Sequence, residues 1–344
     1  MNGDYWPTKD WRTAATESVG MRSEILSHLE QEIKARFRSI NAFLIVRQGY
    51  LVHERYYNGF GQDDKHLVAS VTKSFISALT GIAIDQGFIE GVNQKVLDFF
   101  PEYVPGSEDK LKEQVTIQHL LTMTAGFQWR SGPRANELMI DRLRRNKDWV
   151  GFILDLPVRE RSFGKFQYNS AASHLLSAII TRSTGSCAQE FAADHLFDPL
   201  GIDQPAANFA NTFSQADVFR NTSGVWPRDP QGNSIGGWGL ALKPRDMARF
   251  GYLYLKSGQW EGGQLITKKW VEDSITPHTP DYGYQWWLRD VGGEFTFSAI
   301  GQGGNHIFCV PEEDLVIVFA SKPTARWQDR WSLLEEFLIP SVRQ

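Results

Sequence analysis

The amino-acid sequence predicts an α/β fold, more narrowly an α+β fold, with an antiparallel sheet flanked by helices and an inserted helical domain. Three observations predict it: strand patterns at 42–46 and 50–54, a helix-rich middle, and further strand patterns near the end. Because both ends carry strands, we expect them to share one sheet. The expected units are 1–90 with 236–344, and a mainly helical 91–235, with the functional site between them.

The first part of the chain is predicted to form a helix, a hairpin and a second helix. Apolar residues recur at helical spacing near 23–39, and Gln48-Gly49 separates the first two strand patterns as a turn. The second helix is expected to open at Ser70 and to end at Gln86-Gly87, because glycine is a typical helix stop.

The middle and the end of the chain continue this alternation. Short helical patterns, separated by proline and glycine, cover 117–123, 149–154 and 171–182. The later strand patterns and the closing amphipathic helix lie at 284–288, 295–300, 306–310, 315–320 and 331–338. Few strand signals interrupt the middle, so we expect it to be helical.

The bulk composition limits the classes of partner. With 344 residues, 42% hydrophobic and 22% charged, the chain can bury a large core. A net charge of −4 provides no basic surface, so we expect no nucleic-acid partner. The chain has two cysteines, Cys187 and Cys309, which are too few and too far apart in sequence to suggest a disulfide framework. We expect both to be buried thiols.

Targeting signals are not visible in the sequence. Residues 1–7 lack a charged region followed by an apolar core, and the longest apolar stretch, near 75–84, is too short to span a bilayer. We therefore expect a soluble, cytoplasmic chain with no membrane partner, although a secreted chain trimmed of its leader would look the same. No cofactor and no metal are expected, and the oligomeric state is not predicted.

A serine and a lysine three residues apart, Ser70 and Lys73, form the most informative motif. The same Ser-x-x-Lys spacing occurs at Ser107 and at Ser162, but both of those lie in loop-like stretches. Only Ser70 opens an apolar helix, and residues three apart share one helical face. Lys73 therefore projects beside Ser70, whose amide at the helix N-terminus can face an anion.

The Ser70 hydroxyl becomes a good nucleophile only when a base takes its proton. Lys73 could accept the serine proton only if it were substantially neutral, which requires about 4 to 5 kcal/mol of destabilisation of its ammonium form. Alternatively, Lys73 stays charged and lowers the pKa of Tyr168, which precedes a predicted helix. Ser170 could donate a hydrogen bond there. Taken alone, Tyr168 would be a packing aromatic, and Asn169 or Ser170 a helix cap.

A glycine-rich stretch at 299–305 follows a predicted strand. Glycine lets the backbone approach a ligand closely, and an amide at the strand end could join that of Ser70 in an oxyanion hole. A plain hairpin turn explains the same spacing.

These three motifs, in this order, resemble those of the serine β-lactamase and penicillin-binding-protein superfamily. The resemblance is closest to its class C-like branch, which includes esterases, D-aminopeptidases and 6-aminohexanoate-dimer hydrolases, and it spans about residues 6 to 320. The stretches 116–126 and 237–240 support it. It implies a β-lactamase/transpeptidase-like fold and a Ser-Lys-Tyr acyl-enzyme mechanism.

By this resemblance the candidate site residues have distinct roles. They are the nucleophile Ser70, the proton-transfer residues Lys73 and Tyr168, the oxyanion amides of Ser70 and Gln302, and the adjoining Gly301 and Ser170.

Two departures from the family pattern bear on the substrate. Ser170 stands where the family often has asparagine, and Ala299 and Ile300 stand where it has lysine and threonine. The resemblance therefore implies a carboxylesterase or 6-aminohexanoate-dimer hydrolase-like enzyme acting on small esters or amides. The alternative is β-lactamase or D-amino-acid peptidase activity.

Other interpretations compete with this one. Gly-x-Ser-x-Gly at 232–236 would make Ser234 the nucleophile, but no apolar strand precedes it and no helix follows. The histidines lack metal-binding spacing. The rival from a different class is a non-catalytic scaffold or binding module of the same fold.

Overall fold

A six-stranded antiparallel sheet lies at the centre of the computed structural model, which describes residues 5–106, 109–129, 139–209, 224–322, 324 and 328–342. Its strand order is β2-β1-β12-β11-β10-β9. These strands are β1 Ile40–Arg47, β2 Tyr50–Tyr56, β9 Trp287–Val291, β10 Glu294–Gly301, β11 Asn305–Val310 and β12 Leu315–Ser321. Both ends of the chain thus contribute to one sheet; the division into units at residues 90 and 235 stays a prediction.

Six short strands lie outside this sheet. They are β3 His66–Leu67, β4 Ala206–Phe209, β5 Val225–Arg228, β6 Ala241–Leu242, β7 Gln259–Trp260 and β8 Gly263–Gln264. They pair as β3 with β6, β4 with β5, and β7 with β8. The sequence patterns did not predict β4 and β5, which form a parallel pair within the otherwise helical middle.

The helices surround the sheet and fill the middle of the chain. The α-helices are α1 Ser23–Arg36, α2 Thr72–Asp85, α3 Ile117–Leu121, α4 Ile140–Arg144, α5 Trp149–Leu154, α6 Ser170–Thr184, α7 Ala188–Ala192, α8 Asp198–Leu200, α9 Pro244–Leu255, α10 Lys268–Ser274, α11 Trp331–Leu333 and α12 Ile339–Val342. π-helical turns at Ala193–Phe197 and Leu334–Leu338 join α7 to α8 and α11 to α12. Within the described residues, no helix is both long and apolar enough to cross a membrane.

Strand β1 shows why the sheet is covered on both faces. All eight of its residues are buried, and successive side chains of a strand point to opposite faces. Phe43 and Ile45 pack in one core with α1 and the C-terminal helices, whereas Leu44 packs in a second core with α2 and α9. A Cβ on Gly251 of α9 would lie 2.7 Å from the Ile307 side chain, so glycine brings α9 close to the sheet.

The start of the second predicted helix differs in detail from the expectation. Ser70 lies in a short 3₁₀ turn, Ala69–Val71, and α2 begins only at Thr72. α2 ends at Asp85 with Gly87 in the left-handed conformation, as the glycine stop predicts. Twelve of the fourteen α2 residues are buried, which is typical of a helix enclosed on all sides.

One predicted strand is partly wrong. The pattern at 284–288 predicts a strand, but β9 begins at Trp287. Gln285 adopts a φ of 63°, which no strand allows, and its buried side chain binds other elements instead. The two cysteines are free and buried, as expected.

Candidate active site

Ser70 is partly exposed, whereas the residues before and after it are buried. Ala69 has a φ of 50°, in the left-handed region that costs a non-glycine residue about 1 kcal/mol. The turn is fixed on both sides, because the Val68 amide donates to the Leu240 carbonyl at 2.9 Å and the Thr72 hydroxyl donates to Ala69 O at 2.7 Å. This strained turn presents the Ser70 hydroxyl at the surface of a rigid segment.

Lys73 lies one helical turn from Ser70 and is only 1% exposed. Its Nζ lies 3.0 Å from Ser70 Oγ and donates to the Gly237 carbonyl at 2.6 Å. The same nitrogen is 4.8 Å from the centre of the Tyr168 ring. The structure therefore brings the predicted serine, lysine and tyrosine together around one buried amine.

Tyr168 is positioned by the start of α6 and by a tryptophan. Asn169 caps α6, since its Oδ1 accepts from the amides of Ala171 at 2.8 Å and Ala172 at 3.3 Å. The cap fixes the residue immediately before it. The Tyr168 ring stacks on Trp287 with centroids 5.9 Å apart and planes inclined by 22°.

Ser170 opens α6 beside the lysine's carbonyl partner. It is buried, and a Cβ on Gly237 would lie 2.7 Å from the Ser170 Cβ. Only glycine fits at this contact, which brings the Gly237 carbonyl within reach of Lys73.

The third motif closes the site. Gly301 is the last residue of β10, and a Cβ there would lie 3.2 Å from the Ser70 amide nitrogen. Gln302 follows in the turn to β11 and is partly exposed. Asn305 anchors the turn by donating to Gln302 O at 2.9 Å and accepting from the Ser321 amide at 2.8 Å. The stretch is a hairpin turn that also contacts the Ser70 turn, and its role in an oxyanion hole stays a prediction.

The competing serines lie elsewhere. Ser162 is in a turn between α5 and α6, and Ser107 lies outside the described residues. Ser234 is fully buried, and its Oγ accepts a hydrogen bond from the Gln189 amide at 3.0 Å. A buried hydroxyl held in this way is not presented to a substrate.

Sequence reasoning missed two parts of the arrangement. The Gly237 carbonyl is a backbone acceptor, and a sequence pattern shows only that glycine recurs at 236–239. The second is Trp287, which is partly exposed and stacks on Tyr168. A tryptophan within a strand pattern does not show which ring it will contact.

Together, the sheet with its helical layers and the Ser-x-x-Lys turn define a serine hydrolase of the β-lactamase/transpeptidase-like fold. The chain belongs to the β-lactamase family, which residues 27–331 match. The predicted superfamily and fold class are thereby confirmed.

Individual relatives agree with this family. The 6-aminohexanoate-dimer hydrolase of Paenarthrobacter ureafaciens is 27% identical over 348 residues, covering 92% of this chain and 81% of the relative. A putative 6-aminohexanoate-dimer hydrolase from Bacillus anthracis has a TM-score of 0.72 at 21% identity, covering 91% of this chain and 80% of that one. A family VIII carboxylesterase has a TM-score of 0.69 at 18% identity, covering 96% and 98%. At these identities the two structures support the fold alone.

Proposed function

We propose that this chain hydrolyses small esters or linear amides through an acyl-enzyme formed on Ser70. The observation that carries the proposal is the buried Lys73 amine 3.0 Å from the partly exposed Ser70 hydroxyl. The Gly237 carbonyl fixes the nitrogen at that distance. Burial generally favours the uncharged form of an amine, which is the form that accepts a serine proton.

The reaction proceeds in two halves. Ser70 Oγ bonds to the substrate carbonyl carbon while its proton passes to Lys73, and the carbonyl oxygen becomes an oxyanion. The amides of Ser70 and Gln302 stabilise that charge. As the bond to the leaving group breaks, the pair Lys73 and Tyr168 returns a proton to the departing oxygen or nitrogen. Water then attacks the acyl carbon while its proton passes to the pair Lys73 and Tyr168. The bond to Ser70 Oγ breaks, the proton returns to the serine, and the acid is released.

Aromatic side chains beside Tyr168 support an apolar substrate chain. Phe166 is 37% exposed, and its ring lies 5.1 Å from Tyr282 and 5.9 Å from Trp287. Such a surface suits methylene or short alkyl groups. The relationship to a 6-aminohexanoate-dimer hydrolase supports linear amides with methylene chains as one substrate class. The absence of a nucleic-acid partner and a cytoplasmic location both stay predictions.

Intact-protein mass spectrometry tests the proposal against a non-catalytic scaffold. A fluorophosphonate should add once to the protein, and Ser70→Ala should abolish the adduct while Ser162→Ala and Ser234→Ala keep it. The same variants are then assayed side by side on p-nitrophenyl esters, linear aminohexanoate dimers, D-amino-acid amides and nitrocefin. An adduct on Ser234, or a chain that reacts with no probe and turns over no substrate, contradicts the proposal.

A further inference from the structure

Arg330 is a cation enclosed in the protein. Its side chain is 0% exposed and stacks 4.9 Å from the centre of the Phe37 ring. Its Nη2 donates to Ser39 Oγ at 3.0 Å, while Nε and Nη1 have no hydrogen-bond acceptor. Across the described part of the chain, no carboxylate forms an ion pair with it.

An enclosed guanidinium of this kind is costly. Burial strongly disfavours a charge that has no ion-pair partner, and Asp329 acts on Arg330 through its charge without forming an ion pair with it. Burial lowers the pKa of Arg330 to about 10, so the group remains a cation at neutral pH. The neighbouring His306 adds no second positive charge, because burial and then the charge of Arg330 hold the pKa of His306 well below its usual range.

The guanidinium packs against the turn that follows β10. A Cβ on Gly304 would lie 2.8 Å from both Nε and Nη2 of Arg330, so the group rests directly on that glycine. The Gly304 amide donates to the Gly301 carbonyl at 3.1 Å, and Gly301 in turn contacts the Ser70 amide nitrogen. One four-residue turn thus connects Arg330 with the backbone beside the nucleophile.

We propose that Arg330 is an electrostatic positioning residue that stabilises the oxyanion through this turn. This inference rests on the proposed acyl-enzyme at Ser70. The substrate carbonyl becomes negative only in the tetrahedral intermediate, so a fixed cation favours that state over the neutral bound substrate. At an effective dielectric constant near 20, a unit charge one short turn away changes such an equilibrium roughly tenfold.

A short alkylboronic acid is the probe for the charged state. Boron bonds to Ser70 Oγ, the serine proton passes to Lys73, and the tetrahedral boronate carries one negative charge. 1-Hexanol, a neutral molecule of similar length with no carbonyl for Ser70 to attack, is assayed as a competitive inhibitor and reports the uncharged state. Arg330→Met should weaken boronic acid binding and kcat/KM for a p-nitrophenyl ester about tenfold each, and leave inhibition by 1-hexanol unchanged. Arg330→Lys, which keeps the charge, should recover most of the loss.

Two further measurements keep the outcomes separate. Ser39→Ala removes the hydrogen bond that Arg330 Nη2 donates to Ser39 Oγ but leaves the charge, and it should change boronic acid affinity less than twofold. Equal weakening of both ligands in Arg330→Met, or the same loss in Ser39→Ala, indicates a structural role and overturns the inference. Arg330→Gln replaces Arg330→Met if the latter fails to fold. If the unmodified protein binds no boronic acid and forms no Ser70 adduct, the proposed function itself fails.

Discussion

Lys73 and Tyr168 lie close together, but different steps of the proposed reaction depend on them. Lys73 Nζ lies 3.0 Å from Ser70 Oγ and 4.8 Å from the centre of the Tyr168 ring. The serine needs a base for attack on any carbonyl, but only a poor leaving group needs a proton on departure. Esters and amides should therefore respond differently when the tyrosine oxygen is removed.

The first prediction uses that difference. Lys73→Ala should lower kcat by about 10² or more on both a p-nitrophenyl ester and a linear amide, because the base is lost. Tyr168→Phe should lower kcat about 10² on the amide and less on the activated ester, since p-nitrophenolate leaves without a proton. Steady-state kinetics of both variants measure this. Tyr282→Phe, in the same aromatic cluster, is the control; full amide activity of Tyr168→Phe would show that Tyr168 only packs.

The second prediction concerns Ala299 and Ile300. Neither side chain can pair with a carboxylate beside Gly301, and an unpaired carboxylate in a pocket costs several kcal/mol. kcat/KM for nitrocefin should therefore be about 10² lower than for a short p-nitrophenyl ester, mainly through KM. Parallel assays of the two substrates decide the matter. Equal turnover would mean that another cation receives the lactam carboxylate.

Gln285 connects three helices around the candidate site. Its Nε2 donates to the carbonyls of Leu120 at 3.0 Å and Leu121 at 2.9 Å, at the end of α3. Its Oε1 accepts from Ser173 of α6 at 2.8 Å, and its carbonyl accepts from Ser74 of α2 at 2.7 Å. Ser74 follows Lys73 in α2, and Ser173 lies in α6, which follows Tyr168. Gln285 therefore fixes α2 relative to α6.

The third prediction follows from those bonds. Gln285→Met keeps the side-chain volume but leaves the Ser173 hydroxyl and two buried carbonyls without the amide. The free energy of unfolding should fall by about 3 kcal/mol, because three side-chain hydrogen bonds are lost and each contributes about 1 kcal/mol. Urea denaturation measures the loss. Ser173→Ala, which removes only one of these bonds, should cost about 1 kcal/mol, and equal losses in the two variants would contradict the network.

Gln285 also shows where sequence patterns stop being informative. Residues 284–288 carry the apolar content of a strand, yet a left-handed residue with long-range partners interrupts them. Patterns did predict α1, the β1–β2 hairpin and the Ser70–Lys73 spacing, because those depend on periodicity and nearby residues. The Gly237 acceptor and the Arg330 contact depend on backbone atoms brought together by the whole fold, which periodicity does not encode.

Buried histidines make the stability of the whole molecule depend on pH. Burial lowers the pKa of both His53 and His66 to about 4, and burial also holds the pKa of His306 well below its usual range. Unfolded histidine has a pKa near 6.5, so the unfolded chain takes up protons first as the pH falls. Stability is therefore complete above pH 6.5 and is lost between pH 6.5 and 4. Asp246 opposes this in part, because burial raises its pKa to about 6.

The fourth prediction gives the size of that effect. As the pH falls from 7.5 to 5, protonation of His53 and of His66 in the unfolded chain should each lower the free energy of unfolding by about 2 kcal/mol. The opposite effect of Asp246 should be smaller. Urea denaturation at pH 7.5 and pH 5 should show the net loss, and His66→Gln should reduce it. His28→Gln, at an exposed position on α1, is the matched control and should leave the pH dependence unchanged. A stability that rises toward pH 5 would contradict the prediction.

The pairing of β1 with β12 governs the order of events during folding. Ile45 of β1 lies opposite Ile317 of β12. β1 therefore has only β2 as a neighbour until the C-terminal part of the chain has been made. Until then this largely apolar strand of eight residues has one unpaired edge. Contacts this distant in sequence make folding slow. A nascent chain on the ribosome therefore exposes an unpaired strand edge during most of its synthesis. We expect a chaperone that binds at β1 to reduce aggregation during that time.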